Sequence, residues 1–518
     1  MTQTNSQQDA IGKERNPRKA NIYAGRVVAN SIRTTLGPKG MDKLLVTSSG
    51  KTIITNDGAT ILKNMQLEHP IAQMIVEIAT SQDETIGDGT TTAVIIAGEL
   101  LKQADDLLDQ GLHPTQIING YNAALTKSIH LLNQISKPIN TSDLNQLKKI
   151  ANTAMTGKAN SEKKDDLGNI IAQAAQESFK HKNSLTTKDI PLLISKSSGQ
   201  QESQLLQGLR LNKNRCHPQM PKHIEVAKIL TLNNALETNL PENNTRINLN
   251  NADDLEKIFQ YEQVKIKQTI QTIIDSGANV IFCQKGIDET IQHALAKQGI
   301  LAYRRLKKSE LAMIASACNS KIINDLETLT EKDTGFAKEI IVKGTGENET
   351  ITIITNNSSK FQTILLQSTT KQGDEELKRA VEDALGVVIT ALKNKKVIAG
   401  GGYCESYISY NLKKIPPILE GKEVLAYNSY ARAIEIIPKT LAENCGLDAL
   451  DTLTQLQTTN QQDTGIDMKT GKTKNTFEAG IIEPLESKIH ALKTATAVTN
   501  MILRIDDVIL MNNNETQE

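Results

Sequence analysis

Between about residues 210 and 357 short apolar runs alternate with amphipathic, helix-like segments, whereas the text on both sides is helical almost throughout. NVIFCQ reads as a compact apolar strand, GIDETIQHALAKQG as a helix, ILAYRR as a strand and KKSELAMIASAC as a helix. Alternation at this spacing builds an α/β layer rather than a helical bundle. The two helical ends share one character, so the pattern predicts a domain assembled from both termini with others inserted between them. With 518 residues the chain exceeds one ordinary core and suits roughly two to four domains.

Near the N-terminus, Ile22, Val27, Val28, Ile32 and Leu36 recur at roughly helical spacing from about Asn21 onward. Gly37-Pro38 is expected to stop that helix, the glycine standing at a left-handed C-cap. KTIITNDGATIL predicts a strand at Thr52 to Thr55, a turn at Asn56-Asp57-Gly58 and a helix start. Helices then dominate to about residue 135. DDLEKIFQYEQVKIKQTIQTIIDSG predicts a charged helix of about six turns. After Glu375 a long helix runs into VIAGGG; helices continue to about Lys493, and MILRIDDVIL suggests a β-type ending. Residues 1 to 18 read as a polar arm and NNNETQE as a disordered tail.

Composition removes several classes of partner and chemistry. Lysine plus arginine and aspartate plus glutamate each total 59, so no net field draws in nucleic acid or anionic lipid, and neither is expected as a partner. Apolar stretches such as AVIIAG are far shorter than a bilayer-spanning helix, and MTQTNSQQDA lacks the apolar core of a signal peptide, which predicts a soluble, cytoplasmic protein. Cys216, Cys283, Cys318, Cys404 and Cys445 are scattered without a CxxC pair, a pattern that supports neither zinc nor a disulfide framework. HExxH and GxSxG are both missing. Aromatics are 3% of the chain and tryptophan is absent, so aliphatic side chains must build the cores.

GDGTTT, residues 87 to 92, stands directly before the helical pattern AVIIAGELLKQADDLLDQG. A helix starting at about Thr90 leaves unpaired N–H groups and a partial positive charge, which together form an anion site. Gly87 and Gly89 permit close backbone approach, and Thr90, Thr91 and Thr92 add hydroxyl donors. A carboxylate at Asp88 would repel phosphate unless a divalent cation lay between them, Mg2+ being the natural choice. Alone, the same letters also read as a turn with Asp88 as N-cap. LGPKG at 36 to 40, TNDG at 55 to 58 and AGGG at 399 to 402 place further glycines at element boundaries. IDMKTGKT, 466 to 473, ends like a Walker loop but has Ile466 where that loop needs glycine, and a hairpin turn is expected instead.

Taken together, TTLGPKGMDKLL, ITNDGATIL, GDGTTTAVIIAGELL, VIFCQKGIDE, VIAGGG, AGIIEPL and ILRIDDVI resemble the group II chaperonins, the archaeal and eukaryotic-cytosolic type, over about residues 17 to 510. GDGTTTAV and LLDQGLHPT look more like the archaeal thermosome than its eukaryotic relatives. The resemblance implies a multidomain fold, α/β and mainly α. Its parts would be a helical equatorial domain (1–140 and 396–518), an intermediate domain (141–209 and 358–395) and an α/β apical domain (210–357). A helical protrusion near 238–271 would serve as a built-in lid, so that no separate lid protein is needed. It further implies an ATP-driven chaperone in a double ring of like or unlike subunits, enclosing unfolded client proteins. A ring subunit with weak ATPase and a small-molecule kinase are the competing readings.

By the same resemblance Leu36, Gly37 and Pro38 border ATP, while Asn56, Asp57 and Gly58 approach its phosphates, Asp57 as a second catalytic carboxylate. Asp88 holds Mg2+. Gly89, Thr90, Thr91 and Thr92 cradle the phosphates, and Gly401 and Glu483 face ribose and base. Asp383, in AVEDALGVV, positions the attacking water, and Lys158, in TGK, matches the lysine of a nucleotide-sensing loop. Two stretches depart from the family: LLQSTTKQG at 365 to 373, where Gly373 would supply the hinge flexibility, and the Asn- and Gln-rich region 195 to 250.

Overall fold

The computed structural model describes residues 17–46, 50, 52–65, 67–158, 164–196, 203–237, 252–326, 329–344, 346, 349–355, 362–368, 371–414, 419–458 and 462–507. Most of the expected N-terminal arm, the first part of the expected protrusion (238–251) and the NNNETQE tail lie outside them. The chain forms two compact units, one of residues up to Gln176 together with those from Ser368 onward, the other of Glu177–Gln367.

The first unit opens with α1 (Pro17–Arg33), which buries Ile22, Val28 and Ile32. It ends four residues before the expected glycine stop. The amide and hydroxyl of Thr35 both donate to the Ile32 carbonyl, and Gly37 lies beyond, in a turn where Gly40 N–H donates to its carbonyl. Strands β1 (Lys43–Val46) and β2 (Thr52–Thr55) pair antiparallel. Asp57 then caps α2 (Gly58–Asn64), its carboxylate accepting from Thr60 N–H at 3.0 Å, the strand–turn–helix order expected from sequence.

Next come α3 (Pro70–Thr85), α4 (Thr90–Asp109) and α5 (Pro114–Ile135). Helix α4 is buried on nearly every face, through Val94, Ile95, Ile96, Leu100 and Leu101, which makes it the central rod of this core. A rod so enclosed holds its N-terminus in place. The short β3 (Lys137–Pro138), α6 (Leu144–Met155, capped by Asp143) and α7 (Lys164–His181) follow, the last residues of α7 belonging to the second unit.

The second unit contains β4 (Leu192–Lys196), β5 (Gln204–Gln207), β6 (Leu209–Asn212), β7 (His223–Leu232), α8 (Ala252–Asp275) and β8 (Val280–Cys283). It continues with α9 (Glu289–Lys297), β9 (Leu301–Tyr303), α10 (Lys308–Cys318) and β10 (Ile322–Ile323). Strands β11 (Gly335–Lys343), β12 (Thr350–Ile354) and β13 (Gln362–Ser368) complete it. One sheet has the order β6-β12-β11-β7-β8-β9 with β10 beside β7, and β4-β13-β5 form a second. Strands β7, β8 and β9 run parallel, and every residue of β8 and β9 is buried, as continuous apolar strands covered on both faces should be. Phe282 stacks on Tyr303 across that pair. The alternation seen in sequence is this sheet.

The chain returns to the first unit with α11 (Lys371–Asn394), which begins before the expected Glu375, so Gly373 lies inside its first turn rather than in a glycine-rich turn. Then follow β14 (Lys396–Ala399), α12 (Tyr403–Lys414), α13 (Glu423–Ile434), α14 (Ile436–Asn444) and α15 (Ala449–Thr458). Strands β15 (Thr464–Asp467) and β16 (Lys472–Asn475) make the hairpin expected around the false Walker loop. The last elements are β17 (Ile482–Pro484), in a sheet of order β17-β14-β3, and α16 (Leu485–Arg504). The β-type ending expected at MILRIDDVIL is thereby corrected over its first residues. Ile489, Leu492, Ala495, Val498 and Ile502 carry a helical stripe into the core, and helix persists through Arg504. No helix among the described residues is long and apolar enough to cross a membrane.

Candidate functional site

Helix α4 begins without a side-chain cap. Its N-cap is Gly89, at φ +80°, a conformation that costs any residue with a Cβ about 1–2 kcal/mol. Asp88 is therefore not the cap, and the cap reading of GDGT falls. The first amides of α4 face a cavity of about 560 Å³, within the usual range for a small-molecule site. Asp88, Gly89, Thr90, Thr91 and Thr92 form one wall; Leu36, Gly37, Pro38, Asn56 and Asp57 form another. Lys158, Gly401 and Glu483 also line it.

Two of the expected site residues do not reach the wall. Gly58 lies behind it, where an added Cβ would stand 2.5 Å from Thr91 Oγ1, so this glycine lets α2 pack against the start of α4. Asp383, on α11, is 6% exposed and meets the site through Lys158.

Lys158 organises the acids. Its Nζ donates to Asp383 Oδ2 at 2.8 Å and to Asp88 Oδ1 at 3.0 Å. Burial pulls this ammonium toward neutrality, but Asp383, Asp88 and Asp57 reverse that and hold its pKa well above the usual lysine range. Burial pushes the Asp383 carboxyl up to about 7; Lys158 opposes the rise and the carboxylates of Asp57 and Asp88 add to it. Partial burial raises the Asp57 pKa, yet Lys158, Thr60 and Arg379 bring it below the ordinary value. Its Oδ2 is occupied by the Thr60 amide and hydroxyl. Asn56 Nδ2 donates to the Gly157 carbonyl at 3.0 Å and ties the loop carrying Lys158 to the turn before α2.

At the other end Glu483 sits on β17, paired with Ile398 of β14. Its carboxylate lies 2.9 Å from Lys488 Nζ, which is also 2.9 Å from Glu405 Oε1. Burial raises Glu483, while the two carboxylates hold Lys488 charged against burial. Ile437, Leu441 and Met468 supply an apolar surface nearby in the same cavity. Lys488 and these apolar residues were missed from sequence, because they carry no motif and come together only through the packing of α14, α16 and the β15–β16 hairpin.

Uncapped amides, three hydroxyls and close-approaching backbone suit a chain of phosphate oxygens. Among the described residues no three His, Cys, Asp or Glu side chains converge as a ready-made metal cage. Magnesium is commonly held by one or two carboxylates plus phosphate oxygens, so Asp88, beside the α4 amides, fits a cation that arrives with a phosphate ligand. The ammonium wedged between Asp88 and Asp383 marks the place where the local field calls for positive charge.

A sequence profile of the TCP-1/cpn60 chaperonin family matches residues 28–513. The chain is 43% identical to the thermosome subunit beta of Archaeoglobus fulgidus over 501 residues, covering 96% of this chain and 92% of that one. It is 42% identical to a thermosome subunit of Methanopyrus kandleri, with the same coverage. A thermosome subunit of Pyrococcus horikoshii is 42% identical over 510 residues, 97% of this chain and 93% of the relative.

Proposed function

Because the chain belongs to the TCP-1/cpn60 chaperonin family, as a molecular chaperone of the group II, archaeal type, we propose that it binds ATP in the cavity before α4 and couples ATP hydrolysis to protein folding. The observation that carries this reading is the uncapped α4 N-terminus facing a cavity rimmed by Asp57, Asp88 and Lys158, with Asp383 directly behind the lysine. The amides and hydroxyls of Thr90, Thr91 and Thr92 hold phosphate oxygens. Asp88 would hold Mg2+, whose chemistry is to neutralise charge on the phosphates. Leu36, Gly37 and Pro38 flank the nucleotide, with Gly401 and Glu483 toward ribose and base.

Asp383 orients the attacking water and takes up its proton, a role open to an aspartate only in its ionised form and within reach of the terminal phosphate. Lys158 blocks that reach while it bridges Asp383 and Asp88. In this proposal the lysine moves onto a phosphate oxygen and uncovers the base, while its charge stays near enough to keep Asp383 ionised. Asp57 stabilises the ammonium and caps α2.

We propose a three-domain architecture for the chain. Residues 1–140 and 396–518 form the equatorial domain, 141–209 and 358–395 the intermediate domain, and 210–357 the apical domain, whose lid element includes α8. Such subunits assemble, as one kind or several, into a cytoplasmic double ring around unfolded clients, closed without a separate lid protein.

The test is ATP turnover and negative-stain imaging of the purified chain, alone and as Asp383→Ala. Double rings that hydrolyse ATP, with turnover lost in the variant, are the expected result. Rings without turnover would leave a structural subunit in place of an ATPase, and monomers that phosphorylate a small molecule would overturn the proposal.

A further inference from the structure

Gln82, on α3, is fully buried and touches the loop before α4 from behind. Its Nε2 donates to the Asp88 carbonyl at 2.8 Å and stands 3.4 Å from the Ser487 carbonyl. Two backbone carbonyls around one atom require it to be the amide nitrogen. Oε1 therefore faces His490 Nδ1, 2.7 Å away, and that ring nitrogen carries the hydrogen. The backbone of Gln82 takes part as well, its carbonyl accepting from the amides of Ile86 and Gly87.

Gly87 and Gly89 both have positive φ, and glycine occupies either sign of φ with equal ease, so sterics alone do not fix the direction of the Asp88–Gly89 peptide. A trans peptide is planar and points its C=O and N–H in opposite directions. With the Asp88 carbonyl drawn back to Gln82, the Gly89 N–H is turned the other way, and Gly89 lies on the cavity wall.

We propose that Gln82, held by His490, is the positioning residue of the phosphate cradle, aiming the Gly89 amide and the first turn of α4 at the phosphate chain. This rests on the nucleotide reading above and adds the device that sets its phosphate end. Without the clamp the Asp88 carbonyl has no partner behind the loop, the peptide turns over, and the amide–phosphate hydrogen bond is lost.

The test compares ADP with adenosine, which lacks the phosphates, by titration calorimetry on the assembled protein. Gln82→Leu should weaken ADP about ten- to hundredfold, the worth of a charge-assisted hydrogen bond, and adenosine less than about twofold. His490→Ala, at a half-buried position, should give a smaller loss of the same selectivity and serves if the first variant does not fold. Equal weakening of ADP and adenosine, or unchanged ADP binding in either folded variant, would overturn the proposal. Failure of the unsubstituted protein to bind ADP would instead remove the nucleotide reading beneath it.

Discussion

Lys158 Nζ lies 2.8 Å from Asp383 Oδ2 and 3.0 Å from Asp88 Oδ1, so one ammonium serves two acids carried on different elements. The two acids nevertheless stand differently: Asp88 lines the cavity beside the α4 amides, and Asp383 lies behind the lysine. Their substitutions should therefore separate. Asp88→Ala is expected to weaken Mg2+-ATP about tenfold or more, the cost of one charge-assisted contact. Asp383→Ala should leave binding within about twofold and lower the hydrolysis rate by about a hundredfold or more, the usual contribution of a general base. Calorimetry and phosphate release measure the two effects, and equal loss of binding in both variants would refute the division.

Removal of the ammonium itself should be felt without any ligand. Lys158→Met leaves Asp88, Asp57 and Asp383 facing one another, and a partly buried uncompensated cluster of this kind costs about 2 kcal/mol. The sign of the pH effect is set by Asp383. Its folded pKa is already pushed up to about 7 and rises further without the lysine, against about 3.9 in the unfolded chain. The folded state then binds the extra proton between those values, so the stability it lends is complete below about pH 4 and falls as pH rises through 7. Denaturation of the variant at pH 5 and pH 8 should show the larger deficit at pH 8. A larger deficit at pH 5 would contradict this placement of the charges.

The packing behind the cradle gives a third expectation. A Cβ at Gly58 would approach Thr91 Oγ1 to 2.5 Å, and it must push that side chain out of its place on the cavity wall. The φ of Gly58 is not in the left-handed region, so backbone strain does not enter. Gly58→Ala should therefore weaken nucleotide binding and lower the melting temperature, and both effects should largely disappear in a Thr91→Ala background, where the colliding oxygen is gone. A double-mutant cycle measures the coupling. Additive effects would show that the two positions do not meet.

Much of this was legible locally. The start of α4 at Thr90 follows from GDGTTT and the apolar run after it, and the parallel strands β8 and β9 follow from apolar runs bounded by turn residues. One error arose where tertiary packing overrode a local signal, and one where a nearer local signal acted first. β-Branched and aliphatic residues near Ile502 suggested a strand, but their helical spacing matches the core that α16 covers. Gly37-Pro38 suggested a helix end, while Thr35 closes α1 earlier by folding back on Ile32. The Lys158–Asp383 pair joins residues 225 positions apart, and the clamp from Gln82 to Asp88 needs His490, 408 positions from Gln82. No local pattern announces contacts over such distances. Family resemblance pointed to Lys158 and Asp383 one at a time, without their pairing.

Glu435 tests whether the helices around the site depend on one buried charge. It stands between α13 and α14 with its side chain 6% exposed, and accepts from Ser409 Oγ at 2.8 Å, Lys439 Nζ at 2.9 Å, Gln457 Nε2 at 3.2 Å and the Lys413 ammonium. These partners come from α12, α14 and α15. Burial alone would raise its pKa, but the bonds from Lys413, Lys439 and Ser409 outweigh burial and hold it down at about 2. A depressed folded pKa means that the stability it lends is present above the unfolded value, about 4.3, and disappears as pH falls from there through 2. Glu435→Gln should thus cost about 3 kcal/mol at pH 7, where it strands two lysines beside a neutral amide, and progressively less as the pH approaches 2. Urea denaturation across that range measures the difference. A deficit that stayed constant with pH would mean that Glu435 acts through its shape alone and that its charge does not join the helices.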